Sequence, residues 1–159
     1  MTLSKPEHEV LLFLAARYKD DADHDYDVSD IIKKHGLDPS AGKEIVEKLK
    51  LAEYLKPDRF VSGNEVKCAI SMRGISQVDP GYVEEKILAV IKGLGAIGGF
   101  GNLMKILGYG RDQHQRGFDL ANEMQNRDYI KLLYASYTQN VISVEMLLPG
   151  KHIYDRMKK

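Results

Sequence analysis

One run of this chain is written twice, about 75 residues apart. Gly42 to Lys56 (GKEIVEKLKLAEYLK) lies over Gly117 to Lys131 (GFDLANEMQNRDYIK). Gly42/Gly117, Tyr54/Tyr129 and Lys56/Lys131 are identical, and Glu44/Asp119, Ile45/Leu120, Leu49/Met124, Glu53/Asp128 and Leu55/Ile130 are close in chemistry. The match extends to both sides. Upstream, Ile31 to Gly36 lies over Leu103 to Gly108 at an offset of 72; downstream, Asn64, Val66, Cys68, Ile70 and Gly74 lie over Asn140, Ile142, Val144, Met146 and Gly150 at an offset of 76. Blocks recurring in one order, with offsets that drift by a few residues, are what a duplicated unit with loop insertions leaves behind. The length of 159 residues then reads as two domains of about 80, each large enough to hold one core.

Composition agrees with a folded, soluble chain. Hydrophobic residues make up 43% and charged ones 29%, and no apolar run approaches the roughly 20 residues of a membrane span. The acidic, His-bearing start from Pro6 to Glu9 is not a signal peptide, so the expected location is cytoplasmic, with no membrane partner. Cys68, the single cysteine, sits in an alternating run and is expected to be a buried structural thiol. Formal net charge is zero, but its distribution is not even. Residues 1 to 79 hold 12 Lys and Arg against 15 Asp and Glu, and residues 80 to 159 hold 11 against 8, balances of −3 and +3. A polyanion should prefer the second half.

The hydrophobic period gives the order of elements. In the first half Leu11, Leu14, Ala15 and Tyr18 mark one face of a helix over residues 6–18, ending at the acidic loop Asp20 to Asp27. A short helix follows over 29–35, with Asp27 or Ser29 as its cap and Gly36 as its stop. Asp38-Pro39 opens a third helix to Leu51, buried along Gly42, Ile45, Val46 and Leu49. The period then changes: Tyr54 to Lys56 with Phe60-Val61, a turn at Ser62-Gly63-Asn64, and Val66, Cys68 and Ile70 read as a hairpin. Gly74 ends its strand, Ile75 to Val78 add a helical turn, and Asp79-Pro80-Gly81 is the boundary. The second half repeats this with helices over 82–94, 101–107 and 112–127, and a hairpin of 129–137 and 141–148 closed by Pro149-Gly150. A basic helix over 151–159, with Ile153, Tyr154 and Met157 on its apolar side, packs on its own domain or on a second subunit.

Three helices followed by a two-stranded wing resemble the winged helix-turn-helix family. The segments that carry the likeness are Leu49 to Leu55 and Met124 to Ile130, with Ala69 to Ile75 like the end of a wing leading through glycine into a closing helix. Glu53 and Asp128 stand where many such sequences have glycine. The fold expected is therefore mainly α with small β wings (α+β): two consecutive winged-helix domains, 1–79 and 80–159, each three helices plus a β-hairpin.

Other motifs lack the context their chemistry requires. Gly93 to Gly98 spells GxGxxG, but a helix precedes it where the dinucleotide fingerprint needs a strand, so it reads as a loop between helices. Asp21, Asp23, Asp25 and Asp27 alternate like a calcium loop, yet Tyr26 and Ile32 stand where an EF-hand needs glycine and glutamate. His8, His24, His35, His114 and His152 show no zinc spacing, and no nucleophilic triad can be assembled. Neither an enzyme nor a cofactor or metal is expected.

In winged-helix DNA binders the third helix lies in the major groove and the wing meets the backbone or minor groove. That likeness implies contacts from Gln113, His114, Gln115, Arg116 and Asn122, with Asn126, in the second unit, and Lys131, Gln139 and Asn140 on its wing. Amides and arginine carry the paired donors and acceptors that discriminate bases. The plainer alternative is a solvated helix face with Asp112 and Gln115 as a capping box. The first unit offers Ser40, Lys43 and Lys48 beside Glu44 and Glu47, with Lys56, Arg59 and Lys67 on its wing, a weaker reader because carboxylates repel phosphates. The expected function is a DNA-binding transcriptional regulator with duplex DNA as partner. A protein-interaction scaffold, a homodimer, or a ligand-sensing regulator stand as alternatives.

Overall fold

The computed structural model describes residues 2–22, 24–57 and 66–159. The chain divides into two compact units, Met1–Pro80 and Gly81–Lys159. It is mainly helical, with small antiparallel sheets.

Unit one opens with α1, Lys5–Asp20. Ser4 caps it in a box: the Glu7 N–H donates to Ser4 Oγ (3.3 Å) and the Ser4 N–H to Glu7 Oε1 (2.7 Å). Its inward stripe is Val10, Leu11, Leu14, Ala15 and Tyr18, all buried. Strand β1 is Tyr26–Asp27, α2 is Ser29–Lys34, and α3 is Pro39–Leu51, its first turn capped by Asp38 Oδ1 accepting from the Ala41 N–H at 2.8 Å. After β2 (Lys67–Cys68), Ser71 caps α4 (Met72–Val78), which packs on α1.

Unit two repeats the order. Helix α5 is Pro80–Ala96, β3 is Phe100–Asn102 and α6 is Leu103–Leu107. A 3-10 turn at Arg111–Gln113 leads into α7, His114–Asn126. A β-hairpin, called the wing below for its shape alone, is formed by β4 (Ile130–Ser136) and β5 (Val141–Met146) and is followed by α8, Leu148–Met157. The sheet order is β3-β5-β4, with β5 central and a bulge between Leu132 and Tyr134.

The repeat holds down to single atoms. Glu53 and Asp128 both adopt left-handed backbone, φ 64° and 61°, at the turn from third helix to strand. That conformation is the one glycine takes most cheaply, which is why glycine is common there. Gly42 and Gly117 lie where a Cβ would come within 2.8 Å of Ile32 and 2.3 Å of Met104, the matching residues of the second helices. The Tyr54 carbonyl accepts from the Ser71 N–H at 3.1 Å, and the Tyr129 carbonyl from the Leu147 N–H at 2.9 Å. One matched pair escapes the sequence alignment. Asp27 Oδ1 accepts from the N–H groups of Ser29 (2.9 Å) and Val66 (3.3 Å), while Asn102 Oδ1 accepts from those of Met104 (3.1 Å) and Ile142 (3.0 Å). The same side-chain oxygen joins the second helix to the wing in both units.

Several expected boundaries are corrected. The acidic loop contains β1, and β2 pairs with it through Tyr26↔Cys68 and Asp27↔Lys67. The expected hairpin is described only at its base, Leu55↔Ile70 and the Lys56 N–H to Ala69 carbonyl bond of 2.8 Å. Arg59, Phe60, Val61 and the Ser62-Gly63-Asn64 turn lie outside the described residues. Neither Asp27 nor Ser29 is the cap residue of α2: Val28 takes the cap position, while Asp27 Oδ1 still accepts from the Ser29 N–H that opens the helix. Gly74 and Gly150 do not end strands. Both lie inside the following helices, because Ser71 caps α4 at Met72 and α8 begins at Leu148. Gly93 and Gly95 belong to α5, covered by Ile106 and the Tyr154 ring, so only Gly98, at φ 88°, serves the turn. The Tyr154 contact also places α8 on α5 of its own unit. Gly101 lies in β3 rather than opening a helix, and the Asp112/Gln115 capping box does not form: Gln115 Nε2 donates to Asp119 Oδ1 at 2.9 Å.

Candidate nucleic-acid interface

Helix α7 owes its orientation to three buried contacts. Gly117 admits Met104 of α6; Leu120, Ala121 and Met124 enter the core; and the Tyr129 N–H, bonded to the Met124 carbonyl at 3.0 Å, turns the chain into β4. Its carboxylates turn inward as well. Asp119 is 8% and Glu123 6% exposed. Arg127 Nε holds Glu123 at 2.8 Å and its Nη1 reaches Glu84 of α5 at 2.6 Å. Burial opposes the Arg127 charge, but the two carboxylates outweigh it and push the guanidinium pKa above its ordinary value. Arg127 is thereby a brace between α5 and α7.

What α7 turns outward is chiefly amide. Asn122 and Asn126 are exposed, and Gln113 and Arg116 are half-buried at its N-terminal end. Gln125 Oε1 accepts from the Leu132 N–H at 2.8 Å, tying the helix to β4.

The structure joins two expected contact residues to each other. His114 is buried, and its Nδ1 lies 3.3 Å from Asn140 Oδ1. Asn140 takes left-handed backbone at φ 52°, and its Nδ2 donates to the Tyr109 carbonyl at 2.9 Å. The Tyr137 ring meets His114 edge to face, centroids 5.5 Å apart and planes at 86°. These four residues pin the turn of the wing to the first turn of α7. Gln115 is similarly committed to Asp119, so His114, Gln115 and Asn140 shape the face from within it. Lys131 is exposed on β4 opposite Glu145, and Gln139 is exposed at the wing turn, accepting from the Tyr134 hydroxyl at 3.3 Å.

In unit one the cations are spent differently. Lys48 Nζ lies 3.0 Å from Oε2 of Glu7, which is only 2% exposed. Burial works against the Glu7 charge, but the Ser4 N–H, Lys48 and the Ser4 hydroxyl more than offset it, and the carboxyl pKa falls below its ordinary value. Lys48 is thus a brace between α3 and α1. Lys56 sits 5.9 Å above the Tyr18 ring, and Lys67 faces Asp27 across β1 and β2. Ser40 and Lys43 are exposed on α3 beside exposed Glu44 and Glu47. Arg59 lies outside the described residues.

Tyr109, Tyr134 and Tyr137 were not among the expected site residues. Their placement depends on a wing turn meeting a helix terminus 26 residues away, a pairing no local period announces. No helix among the described residues is long and apolar enough to cross a membrane, and no group of His, Cys, Asp and Glu among them could hold a metal ion. No protein-family model matches the chain, and no curated protein matches it either.

Proposed function

We propose that both units are winged helices and that the chain is a DNA-binding regulator, meeting duplex DNA mainly through α7 and the β4–β5 wing. The observation that carries this reading is the withdrawal of Asp119 and Glu123 into the unit. A helix offered to the major groove is repelled by exposed carboxylates and assisted by amides and arginine. Arg116, Gln113, Asn122 and Asn126 form such a face, and Lys131 supplies a phosphate contact at its side. Binding proceeds by helix insertion and backbone contacts, without a cofactor.

Fluorescence anisotropy with a mixed-sequence duplex at two salt concentrations tests this. Affinity falls as salt rises, because each phosphate contact releases counterions. Absence of binding at low salt overturns the proposal.

A second reading, a protein-interaction scaffold, is favoured by Leu133, Tyr134 and Tyr137, which are 47%, 53% and 61% exposed on the wing. Cross-linking that recovers one stoichiometric protein partner, with no DNA binding, would establish it instead.

A further inference from the structure

Beyond Lys131, the wing of unit two is poorly built for phosphate. From Leu132 to Gly150 the sequence contains no Lys or Arg, and the segment from Tyr134 to Asn140 reads YASYTQN. Whatever this tip contributes to DNA binding comes from rings, hydroxyls and amides. Tyr137 is 61% exposed, yet it is not a loosely hung ring. Its edge-to-face contact with His114, itself buried and held by Asn140, fixes it against the first turn of α7. Tyr134, 53% exposed on β4, is tied to the same turn through Gln139. An aromatic face that is exposed but held in place loses little freedom when another flat ring covers it.

Within a uniform duplex the bases already stack on one another, so a tyrosine gains a stacking partner only by separating a step. An unpaired base offers its face at no such cost. We propose that Tyr137, with Tyr134 on the same hairpin, stacks on an unpaired base, so that unit two prefers DNA where duplex meets single strand over uniform duplex. This rests on the DNA-binding reading and refines its substrate: α7 holds the duplex and the wing holds the first unpaired bases.

The test uses the full chain and two labelled oligonucleotide duplexes, one blunt and one carrying a short single-stranded overhang, compared by anisotropy at fixed salt. The overhang substrate binds about tenfold more tightly, the scale on which one base–aromatic stack acts. Tyr137→Leu, which keeps apolar bulk but removes the ring, lowers affinity for the overhang substrate more than for the blunt duplex and so abolishes that preference. Tyr137→Phe retains the preference, because the ring rather than the hydroxyl carries it. Equal wild-type affinity for both substrates, or a loss in Tyr137→Leu that is the same for both, overturns the inference while the salt-dependent duplex binding stands. No binding to either substrate overturns the DNA-binding reading and this inference together.

Discussion

Asp27 and Asn102 do the same work with different chemistry, and the difference is measurable. Each places one side-chain oxygen between the N–H that opens the second helix and an N–H of the returning strand. In Asp27, partial burial works against the charge, but the Ser29 hydroxyl and N–H, the Val66 N–H and the Lys67 charge outweigh it and hold the carboxyl below its ordinary 3.8. A folded pKa below the unfolded one gives stability that is present above the unfolded value and lost as pH falls through the folded one. Asn102 shows that an amide can fill the position without titrating. Asp27→Asn therefore costs a few tenths to about 1 kcal/mol near pH 7, because the residue is exposed and loses only charge assistance. The deficit fades as pH falls below the ordinary 3.8. Urea unfolding of both proteins at pH 7 and pH 3 checks this, and a deficit of equal size at both pH values would refute it. Cys68, on the paired strand β2, is silent for the opposite reason: burial, then nearby Asp25, pushes its thiol up to about 12, so it stays protonated at neutral pH.

At the scale of elements, local chemistry was legible and pairing was not. Asp38-Pro39 announced α3 because a cap and a proline act within one turn, and the structure places that helix at Pro39–Leu51. The hairpin of unit two was legible from its alternation, with Ile142, Val144 and Met146 all buried. Two-residue β1 was not, because nothing in an acidic run marks a strand formed by pairing with Lys67 and Cys68 of β2. The site fared similarly. The amides of α7 were visible as a helix face, but the link from His114 to Asn140 spans 26 residues and depends on how the wing folds back. The closing helices α4 and α8 were misplaced at their starts, and glycine explains their actual position. A Cβ on Gly74 would stand 2.1 Å from the Tyr54 carbonyl oxygen, and one on Gly150 2.5 Å from that of Tyr129. Backbone cannot step aside as a side chain can. Gly74→Ala and Gly150→Ala each destabilise their unit by about 1–3 kcal/mol or more. Gly81→Ala, in the first turn of α5 with nothing within 4 Å of its Cβ, instead stabilises by up to about 1 kcal/mol. Calorimetry reads these as melting shifts of about 4–8 °C per kcal/mol for units of this size. A harmless Gly74→Ala would mean that α4 is not seated on Tyr54 as described.

Across the whole molecule, the two units match at their core positions and differ at their surfaces. Lys48 of α3 and Glu123 of α7 are matched positions with opposite charges, and each closes a brace from third helix to first, through Glu7 in one unit and through Arg127 to Glu84 in the other. The brace persists while its polarity reverses. In unit one this consumes a lysine and leaves Glu44 and Glu47 exposed; in unit two it consumes a glutamate and leaves amides and Arg116. Two units of one architecture should therefore contribute unequally to a polyanion. Arg116→Ala lowers duplex affinity about tenfold, within the 1–3 kcal/mol of one specific contact, or shallows the salt slope by about one if its partner is a phosphate. Lys43→Ala, flanked by carboxylates on the equivalent helix, leaves affinity unchanged. Anisotropy titrations of both variants at two salt concentrations, with unchanged melting as the control for folding, decide the matter. Equal losses would mean that both units hold DNA alike and that the divergence of their third helices serves something else.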